Sequence, residues 1–270
     1  MKLLFSTILF FCLSTSSWAQ QDSTFRLVRT IPVTAVDIVV DNLNNLYLLT
    51  PSDQLKKYNA HGDSVSVYNQ SKRFGKLYSM DATNPLKLLL YYKDFSTIVI
   101  LDRLLAIRST IDLRRQHITQ ASAIGLSYDN NIWVFDALEN KLKKINEFGS
   151  TLSESTDFRT IFPDAFVPEK IIDYNGSVYL YDPAQGVAIF DYYGTLQKKL
   201  PVKGWKNIAV LDKQIIGTDK GHIYTYYTNN LMERQYQFPS SFGSFNQYLI
   251  ANSQLFALSK DSVNIYSLHF

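Results

Sequence analysis

Apolar and polar residues alternate along most of this chain, and the alternation is organised into a recurring unit. A polar turn at residues 41–45 is followed by the alternating run Leu46-Tyr-Leu-Leu, a second turn, and Gln54-Leu-Lys-Lys-Tyr, closing at Gly62. The same order appears in residues 128–149, ending at Gly149, and in residues 174–194, ending at Gly194. Period-two alternation bounded by Asn, Asp and Gly predicts short strands joined by tight turns. A unit of this kind recurring at about 40 residues predicts a propeller or another repeat array. The first residue of the apolar strand after each polar turn falls at Leu46, Leu88, Ile132, Val178, Ile215 and Leu255, at intervals between 37 and 46 residues. Near-regular spacing predicts six units, each a four-stranded sheet.

The ends of the pattern complete it. The chain finishes with three strand-like runs starting at Tyr248, Gln254 and Asp261, one short of a full unit. Residues 25–33 form a lone strand-like run before the first unit, with Pro32 near its end, where an edge strand tolerates it. The expected fold class is therefore all-β: a six-bladed β-propeller of four-stranded antiparallel blades, with the N-terminal strand closing the last blade. The second and fifth units are degenerate, so rings of five or seven blades, a β-sandwich and a solenoid remain as alternatives.

Composition changes this picture little. Hydrophobic residues make up 46% of the chain, and Tyr (18) and Phe (17) are abundant, which favours pleated, half-buried strands. The net charge of +3 is too small to predict capture of nucleic acid. The first residues read as an export signal: Met1-Lys2, an apolar run from Leu3 to Leu13, and Ser17-Trp18-Ala19 before a cut that leaves Gln20. Residues 1–19 are thus expected to be a signal peptide and 20–270 a single domain with no transmembrane segment. Cys12, the sole cysteine, follows Phe11 rather than a small residue, so no lipid anchor is expected. The processed chain would hold no thiol, excluding disulfides and thiolate chemistry. The expected location is periplasmic or secreted.

The stretch Gly125-Leu-Ser-Tyr-Asp-Asn-Asn-Ile-Trp-Val-Phe-Asp136, continued by Asn140-Lys-Leu-Lys-Lys-Ile-Asn-Glu-Phe-Gly149, resembles an NHL-type propeller repeat. The units beginning near Asp37 and Lys170 are similar in outline. The resemblance implies a propeller built of such blades. Its motifs describe blade construction and carry no chemistry.

Candidate chemistry is sparse. Asp37, Asp81 and Asp173 fall on the predicted innermost strands, where three carboxylates around one axis would bind a divalent cation, as in gluconolactonase-like propellers. The competing reading is that each Asp caps a turn. His61, His117, His222 and His269 stand beside no Ser or Asp in a local motif, and no nucleophile elbow or phosphate loop is present. The basic pairs at residues 56–57 and 143–144 occupy equivalent places in two units and read as blade construction. The long loop 156–170 carries Phe158, Phe162 and Phe166, which would form a partner-binding surface if exposed. Alternatively they pack over the end of the ring or form the fourth strand of blade three. A second aromatic stretch spans residues 237–248. The expected function is that of an exported, non-catalytic, monomeric scaffold binding another protein of the bacterial cell envelope, without cofactor. A metal-dependent lactonase-like hydrolase and a carbohydrate-binding propeller are the alternatives.

Overall fold

In the computed structural model, residues 25–219, 221–239, 242 and 245–268 are described. The expected leader, Cys12 and the cut after Ala19 lie outside them, as do His269 and parts of the second aromatic stretch.

Six four-stranded antiparallel sheets form the fold. Blade one comprises Asp37–Val40, Leu46–Leu49, Leu55–Tyr58 and Ser64–Tyr68, and blade two Ser79–Asn84, Lys87–Tyr92, Thr97–Asp102 and Ile107–Asp112. Blade three comprises Ala121–Leu126, Ile132–Asp136, Lys141–Ile145 and Thr151–Glu154, and blade four Lys170–Tyr174, Ser177–Asp182, Gly186–Phe190 and Leu196–Leu200. Blade five comprises Lys206–Leu211, Gln214–Asp219, His222–Tyr227 and Glu233–Gln237. Blade six takes Gln247–Ala251, Gln254–Leu258 and Ser262–Leu268 from the end of the chain, and Phe25–Pro32 supplies its outermost strand. That strand pairs with the last from Phe25↔Leu268 to Pro32↔Ser262. The expected latch is present, and the ring is a six-bladed propeller.

Each innermost strand lies beside the next, and blade six's lies beside blade one's. The apolar core divides into six clusters, one per blade–blade interface. Alternation along the second strand of each blade explains this. Leu46 and Leu48 face blade six, whereas Tyr47 and Leu49 face blade two. In blade two, Leu88, Leu90 and Tyr92 face blade one while Leu89 and Tyr91 face blade three. That strand is buried on both sides, so it reads as one continuous apolar run, and its unit looked degenerate for that reason. Neighbouring inner strands come close: a Cβ on Gly125 would stand 2.7 Å from the Ile171 carbonyl oxygen of blade four.

The repeated lysines are part of the blades. Lys57 pairs across the sheet with Tyr47, and Lys144 with Trp133. Each ammonium lies about over the paired ring, at 5.0 and 4.9 Å from the centroid.

Antiparallel order puts the turns between first and second strands, and between third and fourth, on one side of the disc, here called the turn face. Hydrogen bonds link these turns between blades: Asn84 Nδ2 donates to Asn130 Oδ1 at 2.8 Å, and Asn252 Nδ2 to Asn44 Oδ1 at 2.8 Å. The loops between blades lie on the opposite, loop face.

Candidate functional site

The inner strands surround a central channel with a largely apolar waist. Val39, Met80, Ile172, Ile208, Val210 and Leu249 contribute to a cavity of about 350 Å³ there. A depression of about 730 Å³ opens on the loop face, and another of about 630 Å³ on the turn face.

The three carboxylates singled out by sequence do not meet at one point: Asp81 and Asp173 both line the waist cavity, and Asp37 does not. Asp37 is the first residue of its inner strand and lines the loop-face depression. Asp81 is the third of its strand, and Asp173 the fourth of its own. At a rise of about 3.3 Å per residue, Asp37 and Asp173 stand roughly 10 Å apart along the axis. Each carboxylate is also bonded locally. Asp37 Oδ1 accepts from Ile38 N at 2.8 Å and Gln247 Nε2 at 2.9 Å. Burial raises its pKa, and these hydrogen bonds offset part of the rise. Asp81 Oδ1 accepts from Thr83 N and Thr83 Oγ1, and its Oδ2 from Leu126 N at 2.7 Å. Among the described residues no cluster of His, Cys, Asp or Glu is arranged to hold a metal ion. The expected cation site is corrected accordingly: the carboxylates tie strands and turns together.

Nor do Phe158, Phe162 and Phe166 form a surface. They are 1%, 9% and 2% exposed, and pack with Phe135 of blade three and Phe190 of blade four. Phe158 stacks on Phe190 at 4.8 Å, and Phe162 on Phe166 at 4.4 Å. A short 3-10 turn, Phe158–Thr160, capped by Asp157, starts the loop inward. Asp182 Oδ2 then accepts from Val167 N at 2.8 Å. The loop plugs the outer interface between two blades, and blade three already has its fourth strand before it. The exposed-aromatic expectation fails because two flanking blades offer the rings a better place than water.

Large exposed apolar side chains stand at several turns of the turn face, while others lie on the loop face and the outer strands. Four turns between third and fourth strands share one geometry. The Oδ1 atoms of Asn59, Asp102, Asn146 and Asp191 each accept backbone N–H groups two and four residues on. This Asx turn satisfies the backbone and throws the residue two places on into solvent. Those residues are His61, Leu104, Phe148 and Tyr193, with Phe148 75% and Tyr193 91% exposed. Leu43 and Leu86 project from the other turns on the same face. The recurring Asn/Asp two residues before these positions was the available sequence signal, but it reads first as turn chemistry.

At the turn-face mouth stands an aromatic group that sequence reading missed. Tyr128, 67% exposed, stacks on Tyr192 at 4.5 Å and 11°. Asp173 holds the assembly. Its Oδ1 accepts from Tyr192 Oη at 2.7 Å, and its Oδ2 from Ser127 Oγ at 3.0 Å, Tyr128 N at 3.2 Å and Trp133 Nε1 at 2.9 Å. Burial, then the bond to Asp173, pushes the Tyr192 hydroxyl far above the usual phenol range. Lys144 Nζ lies 5.0, 4.9 and 5.6 Å from the rings of Tyr128, Trp133 and Tyr192, and is paired with Asp129 at 2.6 Å. Burial alone would raise the Asp129 pKa, but hydrogen bonds led by the one from Lys144 hold it below the carboxylate norm.

No protein-family model matches the sequence, and no curated protein matches it. Solved structures do match in fold. The WD40 domain of Pan2 from Neurospora crassa is 10% identical, with a TM-score of 0.64, over 93% of this chain and 97% of that one. The virginiamycin B lyase from Staphylococcus aureus, solved with quinupristin, is 12% identical, with a TM-score of 0.60, over 91% and 100%. A streptogramin B lyase is 16% identical, with a TM-score of 0.57, over 86% and 78%. At these identities the likeness is one of fold, and the same architecture serves catalysis and binding alike.

Proposed function

We propose that this chain is an exported, non-catalytic propeller that docks another protein of the bacterial cell envelope on its turn face. The observation that carries the reading is the set of Asx turns presenting Leu104, Phe148 and Tyr193 on one side of a rigid disc. Several large apolar side chains on one face favour a binding surface over scattered exposure. The local bonding of Asp37, Asp81 and Asp173 speaks for binding rather than acid–base work. The WD40 likeness is compatible with such a role, and the NHL-like pattern of blade three is read as the blade type. Export rests on the residue pattern of Met1 to Ala19, and a monomer acting in the periplasm is part of the proposal.

Photo-crosslinking tests it. A benzoylphenylalanine placed at Phe148 or Tyr193 is expected to give one discrete adduct with an envelope protein in the source cells. The same probe at Leu138, exposed on the loop face, is expected to give none. Equal adducts from both faces, or none at all, would refute the docking face. An adduct of twice the chain's mass would make the partner a second copy and refute the envelope-partner reading.

A further inference from the structure

We propose that the turn-face mouth of the channel is a saccharide-binding site, with Tyr128 as its stacking platform. One face of Tyr128 lies against Tyr192, and two-thirds exposure leaves the other open to solvent. Tyr128 lines the depression of about 630 Å³, within the usual range of small-molecule sites at about 300–1,000 Å³.

The charges around it select the ligand. No Lys, Arg or His lines the depression, so it offers an anion no counter-charge. Its single carboxylate, Asp173, already accepts four hydrogen bonds from Ser127, Tyr128, Trp133 and Tyr192. The space beside the rings that a foreign cation would seek is taken by Lys144, itself neutralised by Asp129. What remains are neutral hydrogen-bonding groups. The side-chain amides of Asn42 and Asn175 line the depression and bond to no other described residue. A flat apolar face beside free amides, with the one carboxylate already engaged by four donors, suits a neutral pyranose. Its C–H face stacks on the ring while its hydroxyls meet the amides. The platform is held rigid before any ligand arrives, since Asp173 fixes both the Tyr128 backbone and the Tyr192 hydroxyl, which lowers the ordering cost of binding.

This site stands apart from the docking proposal, because Phe148 and Tyr193 do not line the depression. The test is titration calorimetry with saturation-transfer NMR, using maltose, cellobiose and N,N′-diacetylchitobiose as probes. At least one is expected to bind. Tyr128→Ala is expected to weaken it about tenfold, while Tyr128→Phe, which keeps the ring, stays within about twofold. Tyr193→Ala is expected to change nothing. Tyr128 is exposed, so its alanine variant is expected to fold, and a thermal melt checks this. Absence of binding by all three sugars to the wild type would overturn the proposal. So would binding that Tyr128→Ala leaves undiminished, or occupation of the same depression by a proline-rich peptide in their place.

Discussion

Removing residues 25–33 is expected to abolish the cooperative unfolding transition of the propeller. The strand Phe25–Pro32 carries the outer hydrogen-bond ladder of blade six. It also contributes buried Ile31 to the cluster joining blades six and one. Phe25 packs edge-on to Phe242 at 5.3 Å and near Phe238 at 5.9 Å. Burying Ile31 is worth about 1.5–3 kcal/mol, the partly buried Phe25 adds less, and each ladder bond adds about 0.5–1.5 kcal/mol. Together these rival the whole stability of a typical domain, about 5–15 kcal/mol. The loss would also bare the long edge Ser262–Leu268, an open template for pairing with other chains. The truncated chain is expected to aggregate, or to melt without a sharp transition by circular dichroism. A synthetic peptide of residues 25–33 added in trans is expected to restore part of the transition. A truncated chain with the wild-type melting midpoint would contradict this.

The second large effect is expected at Asp136. Its carboxylate is fully buried at the turn between the second and third strands of blade three. Oδ1 accepts from Leu138 N at 3.1 Å and Glu139 N at 3.3 Å, and Oδ2 from Lys143 Nζ at 2.8 Å. Lys143 is buried too, and its second partner, Glu139, is 43% exposed. Burial alone would depress the Lys143 pKa, but the hydrogen bonds to Asp136 and Glu139 outweigh it and hold the ammonium charged. Asp136→Ala therefore leaves the buried ammonium with Glu139 alone, the more exposed of its two partners, and strands two backbone donors. The expected cost is about 3–5 kcal/mol, measured by denaturant unfolding. Asp136→Asn with Lys143→Met removes both charges, and is expected to cost clearly less than Asp136→Ala. A double variant as unstable as the single one would contradict this, since the asparagine oxygen still accepts the two turn N–H groups and no buried charge is left without its partner.

Much of this fold was readable in one dimension because its information is local. Each blade is a run of alternating strands and polar turns, and the spacing from Leu46 to Leu255 counts them. Even the latch follows from counting strands at the two ends. The site was harder for a physical reason. Asp173 drew notice as a carboxylate on an inner strand, but its role is set by Ser127, Trp133 and Tyr192, which lie 46, 40 and 19 positions away. Nothing in the spacing of Asp37, Asp81 and Asp173 announces those partners. Phe158, Phe162 and Phe166 were visible as aromatics on a loop. Whether a ring faces water or a neighbouring blade depends on Phe135 and Phe190, which only the ring brings together. Conversely, Phe148 and Tyr193 sat inside recognised repeats and passed as turn residues, although the Asx bonds before them are what push them outward.

The closed ring can be tested covalently. Thr30 and Asn264 face each other across the joint between the two ends of the chain, with Thr30 Oγ1 donating to Asn264 Oδ1 at 2.8 Å. The sequence has one cysteine, Cys12, inside the expected leader, so a chain from Gln20 with Thr30→Cys and Asn264→Cys carries only the new pair. Facing residues of an antiparallel pair lie within disulfide reach. The account predicts that the two thiols oxidise spontaneously in the folded protein, giving a faster band on a non-reducing gel and a higher melting temperature than the reduced form. Two thiols that stay free and titratable in the folded, air-oxidised protein would contradict it.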